Sequence, residues 1–173
     1  MTPQEQQLIR QRTNWPAEII ENIASIEEAE IYIRAGLQAR QIGGRWALCR
    51  TDINWADYSI RRNTWLRDSP GRGMKDYEGW AEYNNADRIG EGYPPYDSNG
   101  DWYELHHIGQ KQNSPFAELT QEEHRYGGNY AILHDISKES EIDRGEFEQE
   151  KSDYWQARYK AFTAEEIKQI YGN

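Results

Sequence analysis

All four histidines of the chain, His106, His107, His124 and His134, fall between residues 106 and 134. Imidazole binds zinc and other transition metals, and it moves protons near neutral pH. His106 and His107 are adjacent. On a strand their side chains point to opposite faces, so one centre cannot take both by direction alone. At a strand end the pair can instead divide two tasks: one ring binds a metal and the other orients or deprotonates a water beside it. His124 and His134 lie ten residues apart with Gly127-Gly128 between them. One imidazole from a strand, one from a helix and one from the element after it would then reach a single ion, with a position left open for water or substrate. Such an ion would neutralise phosphate oxygens while the remaining histidine activates water. The plainer reading of a His-His pair is a packing role.

Other chemistries fit poorly. Cys49 has no histidine within fifty residues in sequence, so nothing marks a Cys-His nucleophile. Gly71-Arg72-Gly73 and Gly127-Gly128 match neither a phosphate loop nor a dinucleotide fingerprint. The pairs Glu27/Glu28, Glu122/Glu123 and Glu165/Glu166 suit helix starts, where acidic groups meet the positive end of the helix dipole.

The elements that position the histidines follow from local signals. Trp102–Ile108 is a predicted strand, and Thr120 with Glu123 is a capping box that predicts a helix start just before His124. Further upstream, Pro16 stands near a helix start and Ser25-Ile26-Glu27-Glu28 begins another, with Gly36 as its stop. Gly43-Gly44 between Leu37–Ile42 and Arg45–Arg50 predicts a hairpin. Phe147, Tyr154, Trp155 and Phe162 are spaced like one helical face, and Thr163 with Glu166 caps a last helix ending near Tyr171. The fold class expected is α+β. Residues 1–13 read as a frayed leader or boundary, 14–95 as a helical and hairpin region, and 96–173 as the histidine-bearing core with C-terminal helices.

Composition narrows the classes. The 173 residues include seven Trp and twelve Tyr, too aromatic for a disordered chain. No apolar run is long enough for a membrane-spanning helix, and the start of the chain lacks a secretory signal pattern. One cysteine excludes an internal disulfide framework and a cysteine-rich zinc ribbon. The net charge of −10 argues against a polyanionic partner until it is split by segment. Residues 34–75 carry nine basic against three acidic side chains, a net +6 inside an acidic chain. That island either pairs with its acidic flanks or holds a nucleic acid, with Trp46, Trp55, Tyr58 and Trp65 interleaved for stacking.

The stretch Tyr103-Glu104-Leu105-His106-His107-Ile108-Gly109-Gln110 resembles the signature of the LHH branch of the HNH/endonuclease VII nuclease superfamily. The resemblance continues through Ser114–Arg125, Gly128-Asn129 and Leu133-His134-Asp135. It implies a ββα-metal (His-Me finger) core with helical additions at both ends, and a metal-dependent endonuclease. His106 would ligate one divalent ion, with His134 and His124 adding ligation or phosphate contact, and His107 would be the general base. Asn129, Gln110 and Glu104 would orient, and Arg125, Arg61 and Arg62 would touch nucleic acid. The chain departs from the broader HNH layout in the ten-residue separation of His124 from His134.

The ligand types suit Zn, Mg, Mn or Ni. Members of this branch are C-terminal toxin domains of secreted bacterial effectors, neutralised by a cognate immunity protein and acting in the cytoplasm of the target cell. DNA is the substrate the resemblance favours. The alternatives are an RNase toxin of the same family, or a non-catalytic acidic interaction module with a structural metal site.

Overall fold

The computed structural model describes residues 1–58, 82–135, 137 and 142–172. Arg61, Arg62 and Trp65 lie outside the described residues. The chain divides into two compact units, Met1–Thr51 with Glu104–Glu148 and Asp52–Tyr103 with Gln149–Asn173. The expected segments 14–95 and 96–173 therefore each contribute to both units.

The first unit opens with helix α1 (Pro3–Thr13), in the run whose polar composition predicts fraying. Two local features order it. Thr2 Oγ1 accepts from the Glu5 backbone N–H while the Glu5 carboxylate accepts from that of Thr2, and Ile9 is wholly buried in the core. Helices α2 (Ala17–Ile20) and α3 (Ile26–Arg34) follow, the second capped by the Ser25 hydroxyl. Strands β1 (Gln38–Ile42) and β2 (Arg45–Cys49) form the expected hairpin. Its two central residues sit at φ +61° and +77°, which glycine adopts without strain.

Strands β3 (Glu104–His107) and β4 (Phe116–Leu119) complete a four-stranded sheet in the order β1-β2-β4-β3. β4 pairs parallel with β2, matching Ala47 to Phe116 and Leu48 to Ala117, and antiparallel with β3, matching His106 to Ala117. All four β4 residues are buried. The core packs Ile19, Ile23, Ala29 and Tyr32 against Leu48, Ile108, Ala117, Leu119 and Leu133. Helix α5 (Gln121–Arg125) carries the predicted Thr120–Glu123 capping box, so β3, β4 and α5 form a ββα unit within an α+β fold.

In the second unit, helix α4 (Asn85–Gly90) is held by a buried amide. Asn85 Nδ2 donates to the carbonyls of Asn54 and Tyr96, and its Oδ1 accepts from Tyr96 N–H. After α6 (Asn129–Leu133), helix α7 (Arg144–Lys160) begins in the first unit and ends in the second, where Tyr154, Trp155 and Arg158 are buried. Phe147 and Phe162, expected on that same buried face, are only half-buried. Trp55 meets Phe162 edge to face at 5.1 Å, and Tyr171 of α8 (Ala164–Tyr171) donates to Asp87 at 2.6 Å. Among the described residues no helix is long and apolar enough to cross a membrane.

Candidate metal centre

His106 lies on β3, His124 on α5 and His134 just after α6. Their rings converge, with centroid separations of 5.2 Å (106–124), 4.9 Å (106–134) and 5.0 Å (124–134). One potential ligand atom from each lies within 4.8 Å of the other two. The turn through Gly127-Gly128 folds α6 back beside α5, which closes the ten-residue gap in sequence.

The hydrogen bonds fix which nitrogen of each ring is available. His134 Nδ1 is 3.0 Å from the Tyr130 carbonyl, which only accepts, so Nδ1 carries the proton. His124 Nδ1 is 3.0 Å from Glu104 Oε1. Burial alone would raise the Glu104 carboxyl, but hydrogen bonds from His124 and Arg125 outweigh it and hold it below its ordinary range. Glu104 is thus an ionised acceptor and His124 also carries its proton on Nδ1. In its neutral form, each ring then leaves Nε2 with a lone pair.

Two ring nitrogens of the cluster are orphaned. Among the described residues, Nε2 of His106 and Nε2 of His124 are buried without a hydrogen-bond partner. A buried polar nitrogen left bare is costly, and a cation shared among three imidazoles would satisfy it. Burial, with His124, His134 and His107 acting in the same sense, pushes the His106 imidazole well below its usual value. Burial also lowers His134, against the hydrogen bond to Tyr130. Neutral imidazole is the form that ligates. The donor set therefore fits one divalent ion.

Around the three rings the remaining expected residues take distinct places. Glu104 orients His124 from behind and is shared with Arg125, whose Nε donates to Oε1 at 2.9 Å. Arg125, expected to meet nucleic acid, is in this way tied to the site, with its side chain still 47% exposed. Asn129 Nδ2 donates to the Glu123 carbonyl at 2.8 Å and ties α6 to α5. Gln110 accepts from Asp135 N–H at 2.9 Å, linking the turn after His107 to the residue after His134. Gly109, in the same turn, has no room for a side chain: a Cβ there would stand 2.9 Å from Asn22 Oδ1.

His107 stands apart from the cluster. Its buried ring packs against Phe116 at 4.6 Å and Phe147 at 4.5 Å, two rings that stack on each other at 6.1 Å, while His106 faces the other two histidines. Arg45 covers the same Phe116 ring, its guanidinium carbon 4.0 Å from the centroid. This aromatic setting was not legible from spacing, because Phe116 and Phe147 are far apart in sequence.

A second unforeseen group supports α5. Glu118 of β4 is wholly buried and accepts from Arg50 N–H at 2.8 Å. Arg50, part of the basic island, is buried too and pairs with Glu123 at 2.5 Å. That arginine anchors the start of the helix bearing His124.

Glu104→Gln keeps the side-chain shape and removes the charge behind His124. It should weaken divalent-ion binding about 10–100-fold, as loss of a carboxylate behind a ligating histidine does. Competition with a chromophoric chelator measures this, and an unchanged affinity would remove Glu104 from the centre.

No curated protein and no solved structure matches the chain. Residues 84–161, which hold all four histidines with Leu105-His106-His107 among them, match the model of LHH, a nuclease of the HNH/ENDO VII superfamily with conserved LHH.

Proposed function

We propose that the chain is a metal-dependent endonuclease that hydrolyses phosphodiester bonds of DNA. The observation that carries this reading is the convergence of His106, His124 and His134, with two buried Nε2 atoms lacking a partner, inside the segment that matches a nuclease family. A divalent ion bound there supplies positive charge to phosphate oxygens. The chain's own residues supply the rest. Glu104 and the Tyr130 carbonyl hold two ligand rings in one tautomer, and the buried setting of His106 keeps it neutral. His107, outside the ligand cluster, takes the proton from the attacking water. The leaving oxygen is the 3′ oxygen of the cleaved strand.

The same resemblance supports a biological role. In this reading the domain belongs to a secreted bacterial effector, acts in the cytoplasm of a target cell and is neutralised by a cognate immunity protein.

The test is incubation of the purified protein with plasmid DNA and with total RNA, under Mg, Mn, Zn or Ni, each with and without EDTA. Nicking and linearisation of the plasmid, abolished by EDTA, is the expected result. Cleavage of RNA alone would make it an RNase of the same family. Cleavage of neither would favour a non-catalytic acidic module with a structural metal.

A further inference from the structure

The five large hydrophobic side chains that stand exposed among the described residues are Leu8, Tyr126, Tyr130, Ile132 and Tyr171. Three of them fall within residues 126–132, the connection between His124 and His134. Two exposed tyrosines in the short connection between two candidate ligands, one of them in ring contact with His134, need an explanation, since most apolar side chains of this unit enter the core.

Tyr130 has the more defined geometry. Its ring stacks on that of His134 at 4.3 Å and 26° between planes, and its carbonyl accepts from the same histidine. One face is therefore fixed against a ligand ring, while the side of the residue away from it leaves Tyr130 52% exposed. Tyr126, at the other end of the Gly127-Gly128 turn, is 61% exposed. A phosphodiester bound at the three histidines brings its flanking bases close to this rim. Nucleobases stack on aromatic rings whatever their sequence, provided that they are splayed out of a duplex.

We infer that Tyr130, with the exposed Tyr126 just before the same turn, is a stacking platform for bases flanking the scissile phosphate, and that the preferred substrate is single-stranded or locally unpaired nucleic acid. This rests on the nuclease reading and adds the form of the substrate. The chemistry favours nucleic acid over a protein partner because the platform adjoins the ligand ring itself.

The test uses the full chain in a His107→Ala background, loaded with metal, and a fluorescent single-stranded oligonucleotide read by anisotropy. Tyr130→Ala should weaken binding about tenfold and Tyr130→Phe should leave it unchanged. The same strand fully paired to its complement should bind more weakly than the single strand and show no difference between Tyr130 and Ala. Metal content, measured alongside, should be equal in all variants. Equal strand binding by Tyr130→Ala overturns the platform, and would leave these aromatics as a surface for a protein. Tighter binding of the duplex also overturns it. These outcomes leave the nuclease reading standing if plasmid is still cut by the parent chain. Failure of the parent chain to cut any nucleic acid, with any metal, brings down both.

Discussion

His106→Ala should leave the protein unable to retain a divalent ion, with affinity falling more than about 100-fold, beyond what a change behind a ligand produces. His106 is the most enclosed of the three, 3% exposed, and its orphaned Nε2 makes it the ligand with most to gain from a cation. Two readouts check this. Metal content after gel filtration should drop from one ion per chain toward none. The stabilisation conferred by added metal, about 2.7 kcal/mol at a hundredfold excess over Kd for the parent chain, should vanish. His106→Gln, which fills more of the space, separates ligand loss from a packing defect. If either variant keeps the parent metal content, the centre is not built on His106.

The second large effect is the opposite in kind. His107→Ala should lose cleavage by at least about 100-fold, the usual contribution of a positioned general base, while its metal content stays that of the parent. The separation follows from strand alternation: His106 meets the other two imidazoles, and His107 meets Phe116 and Phe147. Contact with both phenyl rings holds the imidazole in one orientation. The variant opens a cavity beside them, so the thermal midpoint is recorded with the rate. His107→Phe, which refills the slot without a titratable nitrogen, should be stable and equally inactive. Normal cleavage by either variant would reduce His107 to a packing residue and place proton abstraction elsewhere.

The parts of the fold that could be read in advance are those written in neighbouring residues. Thr120 with Glu123 and Thr163 with Glu166 announce helix starts because each cap closes within four residues. Gly43-Gly44 announces the hairpin for the same reason. β4 gave no such notice. Phe116–Leu119 faces the interior on both sides, so it has no polar alternation, and its parallel partner β2 is remote in sequence. Polarity misleads at residues 3–13, where one buried isoleucine and a cap outweigh a run of polar side chains.

At the site, the clustering of histidines was visible and their mutual geometry was not. Whether His124 and His134 meet depends on how α6 turns back on α5, and hence on Asn129 reaching the Glu123 carbonyl. Arg50 and Glu118 illustrate the opposite difficulty. Each reads as a surface charge in sequence, yet together they are buried beneath the start of α5. An arginine counted toward a basic footprint proves to be an internal fastening.

The parallel contact between β2 and β4 sets the smallest piece of this protein that can stand alone. The span resembling known nucleases begins at residue 84, whereas the neighbour that covers the inner edge of β4 ends at Cys49. Cut at the borders of its resemblance, the domain would present a strand buried along its whole length in the intact protein, with bare amide groups along one side, an invitation to intermolecular pairing. The histidines are local; the scaffold that keeps them soluble is not. In this chain inheritance of the chemistry and inheritance of the fold have different boundaries.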